Sequence, residues 1–473
     1  MQKGYIFKRF FQQKQDIFVF SKKHFLFFQL LFLTTLLYRI FFRNIYPSPP
    51  FVYDLNDTFM DFFNTCYWTF QREDTYTSWQ SVYPPFAHLL CVISYIFIIP
   101  DLGEIAPGNG FNWRYNALFM LPFWIMVGIY FLSIFSIIMS RCSHLFDFKT
   151  NFLIFLSISF SIPSLFMIER GNILMYAIAF VNFTFALREK YLFNTVNYLR
   201  VILISLSTSI KPYLLLLIFP LKKIEYFLIF LITFFLANFL ALLIWQPKSP
   251  ENLLANLGNF TSLNNTSFLV ERSFYSFGIS TYSLVIDLAG RFLFGTTKLF
   301  AVECLLITFG ICLGLVAYNS YLFWKIYQKV SPLVSNTFSF FLGYTFCIYL
   351  MMSLLREAGG YAMTFFLCSL IVFISYFPKA KFNLLEFSTT AYLFFYIPFL
   401  PEHYYRFINM QSFLGSVLNI PLKILTPTFM LDPLFRPLVL QLFFYAFLQK
   451  IWSEVSPALV EAEHKTKILS HKK

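Results

Sequence analysis

Long apolar runs, each closed by a short polar or proline-containing break, recur along almost the whole chain of 473 residues. A helix needs about 20 apolar residues to cross a bilayer. Runs that approach this length lie near 24–43, 86–100, 117–140, 151–168, 173–187, 195–221, 224–245, 299–323, 332–353, 361–377, 384–400 and 434–450. The pattern predicts an all-α, polytopic transmembrane helical protein of roughly 12 membrane segments, with the multi-span domain covering 24–452. Three stretches between the runs are long enough to hold chemistry: 44–85, 246–298 and 401–433. The first of these has apolar neighbours around Asp61 that suggest an amphipathic helix lying along the membrane surface.

Charge orders these segments. Residues 1–23 carry Lys3, Lys8, Arg9, Lys14, Lys22 and Lys23, and the run after them lacks a small-residue cleavage site, so it reads as an uncleaved first span. Its basic end belongs in the cytoplasm by the positive-inside rule. The basic tail, 453–473, falls on the same side, and the three long loops fall on the outer face. Between 85 and 223, one crossing per run would put Arg141, Lys149, Arg188 and Lys190 outside, against the rule. A second topology is favoured, in which 86–100 dips in and returns and 195–221 breaks at Lys211-Pro212. Pro84-Pro85 and Pro212 stand where those breaks are needed.

Composition agrees with the pattern. Hydrophobic residues make up 58% of the chain and charged residues 12%, with a mean hydropathy of +0.64. Soluble domains carry about 25% charged residues, so no sizeable water-soluble domain is expected. The net charge of +13 is explained by cytoplasmic loops beside anionic lipid, and no basic stretch interleaved with aromatics points to nucleic acid. The seven cysteines form no CxxC pair and the six histidines show no metal spacing, so neither a disulfide framework nor a metal cofactor is implied. The 68 phenylalanines replace leucine against lipid and mark no site by their number.

Polar residues inside such a chain are costly and usually functional. Asp61, among aromatics at a low-dielectric boundary, is the candidate catalytic base. Glu169-Arg170-Gly171-Asn172 is a charged turn between two apolar runs, Lys211 interrupts an apolar run, and Arg356-Glu357 separates two later ones. In the favoured topology Asp61, Arg170, Lys211 and Arg356 share the outer face. A carboxylate facing cations suits a sugar donor whose leaving group is a lipid phosphate: the carboxylate takes the acceptor's proton and the cations stabilise the departing phosphate. Tyr83, Glu169, Arg170, Asn172, Lys211 and Arg356 are the candidate substrate-binding residues.

The order of Asp61-Phe62, Tyr83-Pro84-Pro85, Gly171-Asn172 and Lys211-Pro212, with Asn265-Thr266-Ser267 ahead of Arg272, resembles the glycosyltransferase 87 family of GT-C membrane enzymes. That family commonly has Gly-Gln where Gly171-Asn172 stands. The resemblance covers about residues 20–300. It implies a GT-C fold, an outward-facing cavity, and a first-loop aspartate as base, at the position of Asp61. It also implies transfer of a mannose-like hexose from a polyprenyl-phosphate sugar, with inversion, to a lipid or glycan acceptor at the outer face of the cell (inner) membrane. Partners are then the lipid donor, the acceptor and membrane lipid. Three other classes compete, one of them a purely structural membrane scaffold, which would leave the clustering of polar motifs on one face to chance. An O-antigen-type polymerase or ligase would draw on His403 and Arg406, and a transporter or flippase would show an internal repeat and several deep ionisable residues.

Overall fold

The computed structural model describes residues 58–96, 98, 110–187, 193–218, 223–261, 297–331, 336–354, 363–377 and 437–456, and the paired strands β1 (Phe18–Val19) and β2 (Lys381–Phe382). Apart from that short antiparallel pair, the described elements are helices. In chain order they are α1 (Met60–Phe70), α2 (Pro85–Tyr95), α3 (Gly110–Trp113), α4 (Ala117–Cys142), α5 (Phe148–Ser159), α6 (Ile162–Arg170), α7 (Leu174–Ala186) and α8 (Phe193–Thr208). A 3-10 turn, Pro212–Ile218, follows α8. Then come α9 (Ile224–Trp245), α10 (Asn252–Thr261), α11 (Thr297–Val330), α12 (Asn336–Leu354), α13 (Thr364–Tyr376) and α14 (437–456).

Helix starts follow local chemistry. Pro85 occupies the first turn of α2, where its missing N–H costs nothing. The Asp147 carboxylate accepts from the Thr150 N–H at 2.9 Å and caps α5, and Asn116 caps α4 by accepting from Leu118. Helix α6 ends at Gly171 in the left-handed conformation, with the Gly171 and Asn172 N–H groups returned to the Ile168 and Met167 carbonyls. That is the closure a glycine permits at a helix end.

Side-chain bonds between helices fix their directions. Asn182 donates to the Ser133 hydroxyl and the Ser140 hydroxyl to the Ala186 carbonyl, so α4 and α7 run parallel. Ser207 donates to the Ala177 carbonyl and Arg200 to that of Leu187, so α8 runs against α7. Ser205 donates to the Phe230 carbonyl and Tyr198 to Glu225, so α8 and α9 are parallel. Two consecutive parallel helices need a return between them. The break at Lys211-Pro212 and the following 3-10 turn supply it. Helix α2 also does not lead across. It is eleven residues long, about 16 Å, and by Gly110 the chain is back against the Phe63 carbonyl of α1.

The expectation of about twelve crossings is overturned. Among the described residues, three helices are long and apolar enough to cross a membrane: Ala117–Cys142, Ile224–Trp245 and Phe309–Val330. A fourth crossing is reached only if α5 and α6, bent by 56° at Ser159–Pro163, count as one. The runs at 86–100, 173–187, 195–221 and 361–377 form shorter apolar helices. The runs at 24–43 and 384–400 lie outside the described residues. The physical reason is visible in α13. Every residue from Thr364 to Ile374 is buried by neighbouring helices, and its thirteen residues span only about 20 Å. A helix apolar on all sides is required by burial in protein as much as by lipid, and hydropathy does not separate the two. With three or four such helices among the described residues, the twelve-segment GT-C architecture is overturned, and the glycosyltransferase 87 assignment built on it falls. What stands is a largely helical, membrane-associated protein. Helix α9 shows the contrast with α13, burying only Phe230, Ala241 and Trp245 along its length.

One large apolar core joins α1, α2, α4, α7, α12, α13 and α14. Polar ties pin it at specific heights. Asn319 of α11 donates to the Tyr349 hydroxyl of α12 and to the Gln441 carbonyl of α14. Tyr349 donates to the Gln441 side chain, which donates in turn to Ser353. Such buried bonds fix one register between helices that greasy surfaces alone would leave free to slide.

Candidate functional site

The turn after α6 docks on the start of α1. Phe59 precedes α1 with φ of 65°, a left-handed backbone uncommon for an aromatic residue. Its N–H donates to the Glu169 carbonyl at 2.6 Å. Its own carbonyl comes so close to Gly171 that a Cβ there would lie 2.7 Å from it. Strain of this kind persists only where surrounding contacts enforce it, and it gathers at functional sites. Phe59 is enforced by packing on Phe123, with ring centroids 4.6 Å apart.

That docking delivers three predicted residues to one place. Arg170 Nη2 donates to Asp61 Oδ1 at 3.0 Å, and Asn172 Nδ2 donates to Asp61 Oδ2 at 2.9 Å. The carboxylate keeps 24% of its side chain exposed and the guanidinium 18%. Each oxygen therefore accepts from at least one side chain fixed by the turn after α6. Glu169 turns the other way and is buried, with the Thr58 hydroxyl 3.4 Å from its Oε1. Arg114 donates to the Thr58 carbonyl and to the Tyr115 hydroxyl, tying the polar gap before α4 into the same cluster.

Lys211 and Tyr83 form a second centre. The Lys211 ammonium sits 3.9 Å from the centroid of the Tyr83 ring, within cation–π range. Tyr83 is positioned by its neighbours: its carbonyl accepts from the Tyr76 hydroxyl and its N–H donates to Ser81 Oγ. Burial pushes the Tyr76 phenol well above its ordinary range, so it remains a donor. His88 lies beneath, with Nδ1 2.7 Å from Thr69 Oγ1 and Nε2 2.9 Å from Ser81 Oγ, its ring stacked on Trp245.

The two centres occupy the same end of the bundle. Asn172 immediately precedes α7 and Lys211 follows α8, and those helices are antiparallel. The opposite end is basic in another way. Arg141 donates to the Phe185 and Leu187 carbonyls and Arg200 to those of Thr184 and Leu187, so two guanidiniums close the C-terminus of α7.

Of the predicted site residues, the structure brings Asp61, Arg170 and Asn172 into contact, places Glu169 beside them facing inward, and pairs Tyr83 with Lys211. Arg356, His403, Arg406, Asn265 and Arg272 lie outside the described residues. Sequence reasoning missed Thr58 and Arg114. A signal existed for Arg114, a lone cation in the polar gap ahead of a long apolar run. No group of three or more His, Cys, Asp or Glu side chains able to hold a metal ion occurs among the described residues. Comparison with known proteins supplies no relative: no family model, no curated protein and no solved structure matches the chain.

Proposed function

We propose that the protein is a membrane glycosyltransferase that moves a hexose from a polyprenyl-phosphate carrier to a lipid or glycan acceptor, with Asp61 as general base. The observation that carries this reading is the Asp61 carboxylate, oriented by Arg170 and Asn172 and still open to solvent, at the same bundle end as the Lys211 ammonium. An acceptor hydroxyl donates to Asp61 and loses its proton as its oxygen bonds to the anomeric carbon. The bond from that carbon to the phosphate oxygen breaks, and the electron pair leaves with the phosphate. Lys211 is suited to stabilise that growing charge. Arg170 is occupied with Asp61, so its part is orientation of the base rather than contact with phosphate.

Sidedness belongs to the same proposal. Arg141, Lys149, Arg200 and Lys223 gather at the end opposite Asp61, and the positive-inside rule makes that end cytoplasmic. The reading then puts Asp61 and Lys211 at the outer face of the cell membrane and the N-terminus in the cytoplasm.

The test is transfer by the purified full chain in lipid nanodiscs, supplied with polyprenyl-phosphate mannose and glycolipid acceptors. Asp61→Asn should abolish turnover without changing expression or detergent behaviour. An Asn variant with near-normal turnover removes Asp61 from the chemistry and the proposal with it.

A further inference from the structure

Helix α1 shows only a narrow strip to solvent. Asp61, Asn64, Tyr67 and Trp68 are its partly exposed residues, and every other position in it is buried. At about 100° per residue, Asp61, Asn64 and Trp68 fall within about 60° of arc. Trp68 thus follows Asp61 along one face, about 10 Å further on. There its ring stacks on Trp79, with centroids 5.8 Å apart and planes 16° from parallel. Tyr67 meets Trp79 edge-on at 6.3 Å.

Trp79 is 42% exposed although the loop that carries it is tied down on every side. Its own N–H donates to the Asp74 carbonyl, Thr75 Oγ1 to that of Trp68, and Asn256 Nδ2 to the Tyr76 and Ser81 carbonyls. An indole held out by a rigid loop is preorganised to bind, since no loop entropy is lost on contact. The residues beside it are polar: Thr77, Ser78 and Gln80 are exposed, and Gln71 is half-buried. Lipid would meet an apolar rim, as around the exposed Trp124 and Leu121 of α4. A flat aromatic face on a loop that also exposes hydroxyl and amide side chains fits a pyranose, whose axial C–H bonds pack on the ring while its hydroxyls bond to polar side chains.

Resting on the transferase reading above, we infer that Trp68 and Trp79 form the platform that binds the sugar of a glycan acceptor. The strip from Trp79 to Asp61 then runs from a bound ring to the base that deprotonates its reacting neighbour.

Saturation-transfer NMR on the purified full chain in detergent, with α-linked mannotriose as probe, tests this. Saturation of the ring C–H protons is expected for the native chain and for Asp61→Asn. Trp79→Ala should weaken binding on the order of tenfold, a loss of one large contact, while Trp79→Phe restores most of it. Mannotriose binding absent from the native chain, or equal in Trp79→Ala, overturns the platform. So does a Trp79→Ala defect confined to partition into anionic vesicles, which would make the pair a membrane-interface anchor. The two readings fail separately. Active Asp61→Asn with mannotriose binding that depends on Trp79 sinks the transferase and leaves a sugar site; inactive Asp61→Asn with normal binding by Trp79→Ala does the reverse.

Discussion

Asn172 grips Asp61 with one side of its amide and the start of α7 with the other. Its Nδ2 donates to Asp61 Oδ2 at 2.9 Å, and its Oδ1 accepts from the Leu174 N–H at 3.0 Å. The second bond fixes which way the amide faces, so the NH2 group has to present itself to the carboxylate. Asp at this position would keep the bond to Leu174 and set a second negative charge against Asp61. Asn172→Asp is therefore expected to destabilise the fold by about 1–3 kcal/mol and to suppress transfer more than Asn172→Ala. Thermal unfolding in detergent beside the transfer assay checks it.

Gly171 is the hinge of the docking. It has φ of 65° and lies against the Phe59 carbonyl, where a Cβ would meet oxygen at 2.7 Å. Gly171→Ala should lower stability by about 1–3 kcal/mol and release Arg170 and Asn172 from Asp61. Gly128→Ala, in α4 with nothing within 4 Å of an added Cβ, should be neutral or mildly stabilising. Equal melting temperatures for the two variants would count against the docked turn.

On the proposed function, Lys211 acts through its charge. Its ammonium lies over Tyr83, a contact worth about 0.5–2 kcal/mol. Lys211→Met should cut transfer sharply with little change in unfolding temperature, and Lys211→Arg should recover part of the rate. A strong fall in stability in Lys211→Met would mean that the cation serves the fold.

Arg141 and Arg200 converge on the Leu187 carbonyl from α4 and α8. Residues that share a partner do not act additively. Removing one guanidinium leaves the Leu187 carbonyl with the other, so each Ala variant should cost about 1 kcal/mol and the double variant more than their sum. A thermal double-mutant cycle measures the coupling, and simple additivity would refute the shared clamp.

Helix α9 separates two reporter positions. Lys223 stands at its start, and Trp245 at its end donates its indole N–H to the Thr69 carbonyl beside the loop that holds Ser78. Six cysteines are buried, so a Cys304→Ser background suits single-cysteine labelling. Ser78→Cys and Lys223→Cys should react with an impermeant maleimide from opposite faces of the membrane. Labelling of both from one face would mean that α9 does not cross.

The polar vocabulary of the site was legible in the chain. Asp61, Arg170, Asn172 and Lys211 stand out because each interrupts an apolar context, and an interruption is a local property. Partnership is not local. Asp61 and Arg170 are 109 positions apart, and nothing in either neighbourhood says that the turn after α6 returns to the start of α1. The burial of Glu169, the backbone strain at Phe59 and the Trp68–Trp79 stack also exist only once those segments meet.

The sequence by itself determined helical character, membrane association and the break at Lys211-Pro212, because apolar composition and proline chemistry act over a few turns. Only the tertiary structure decided how many runs can cross. Lipid and protein interior are equally apolar, so α9, bare along most of its length, and α13, enclosed by its neighbours, share one hydropathy signature. What distinguishes them is length and the helices packed around them, and packing is a property of the assembled bundle.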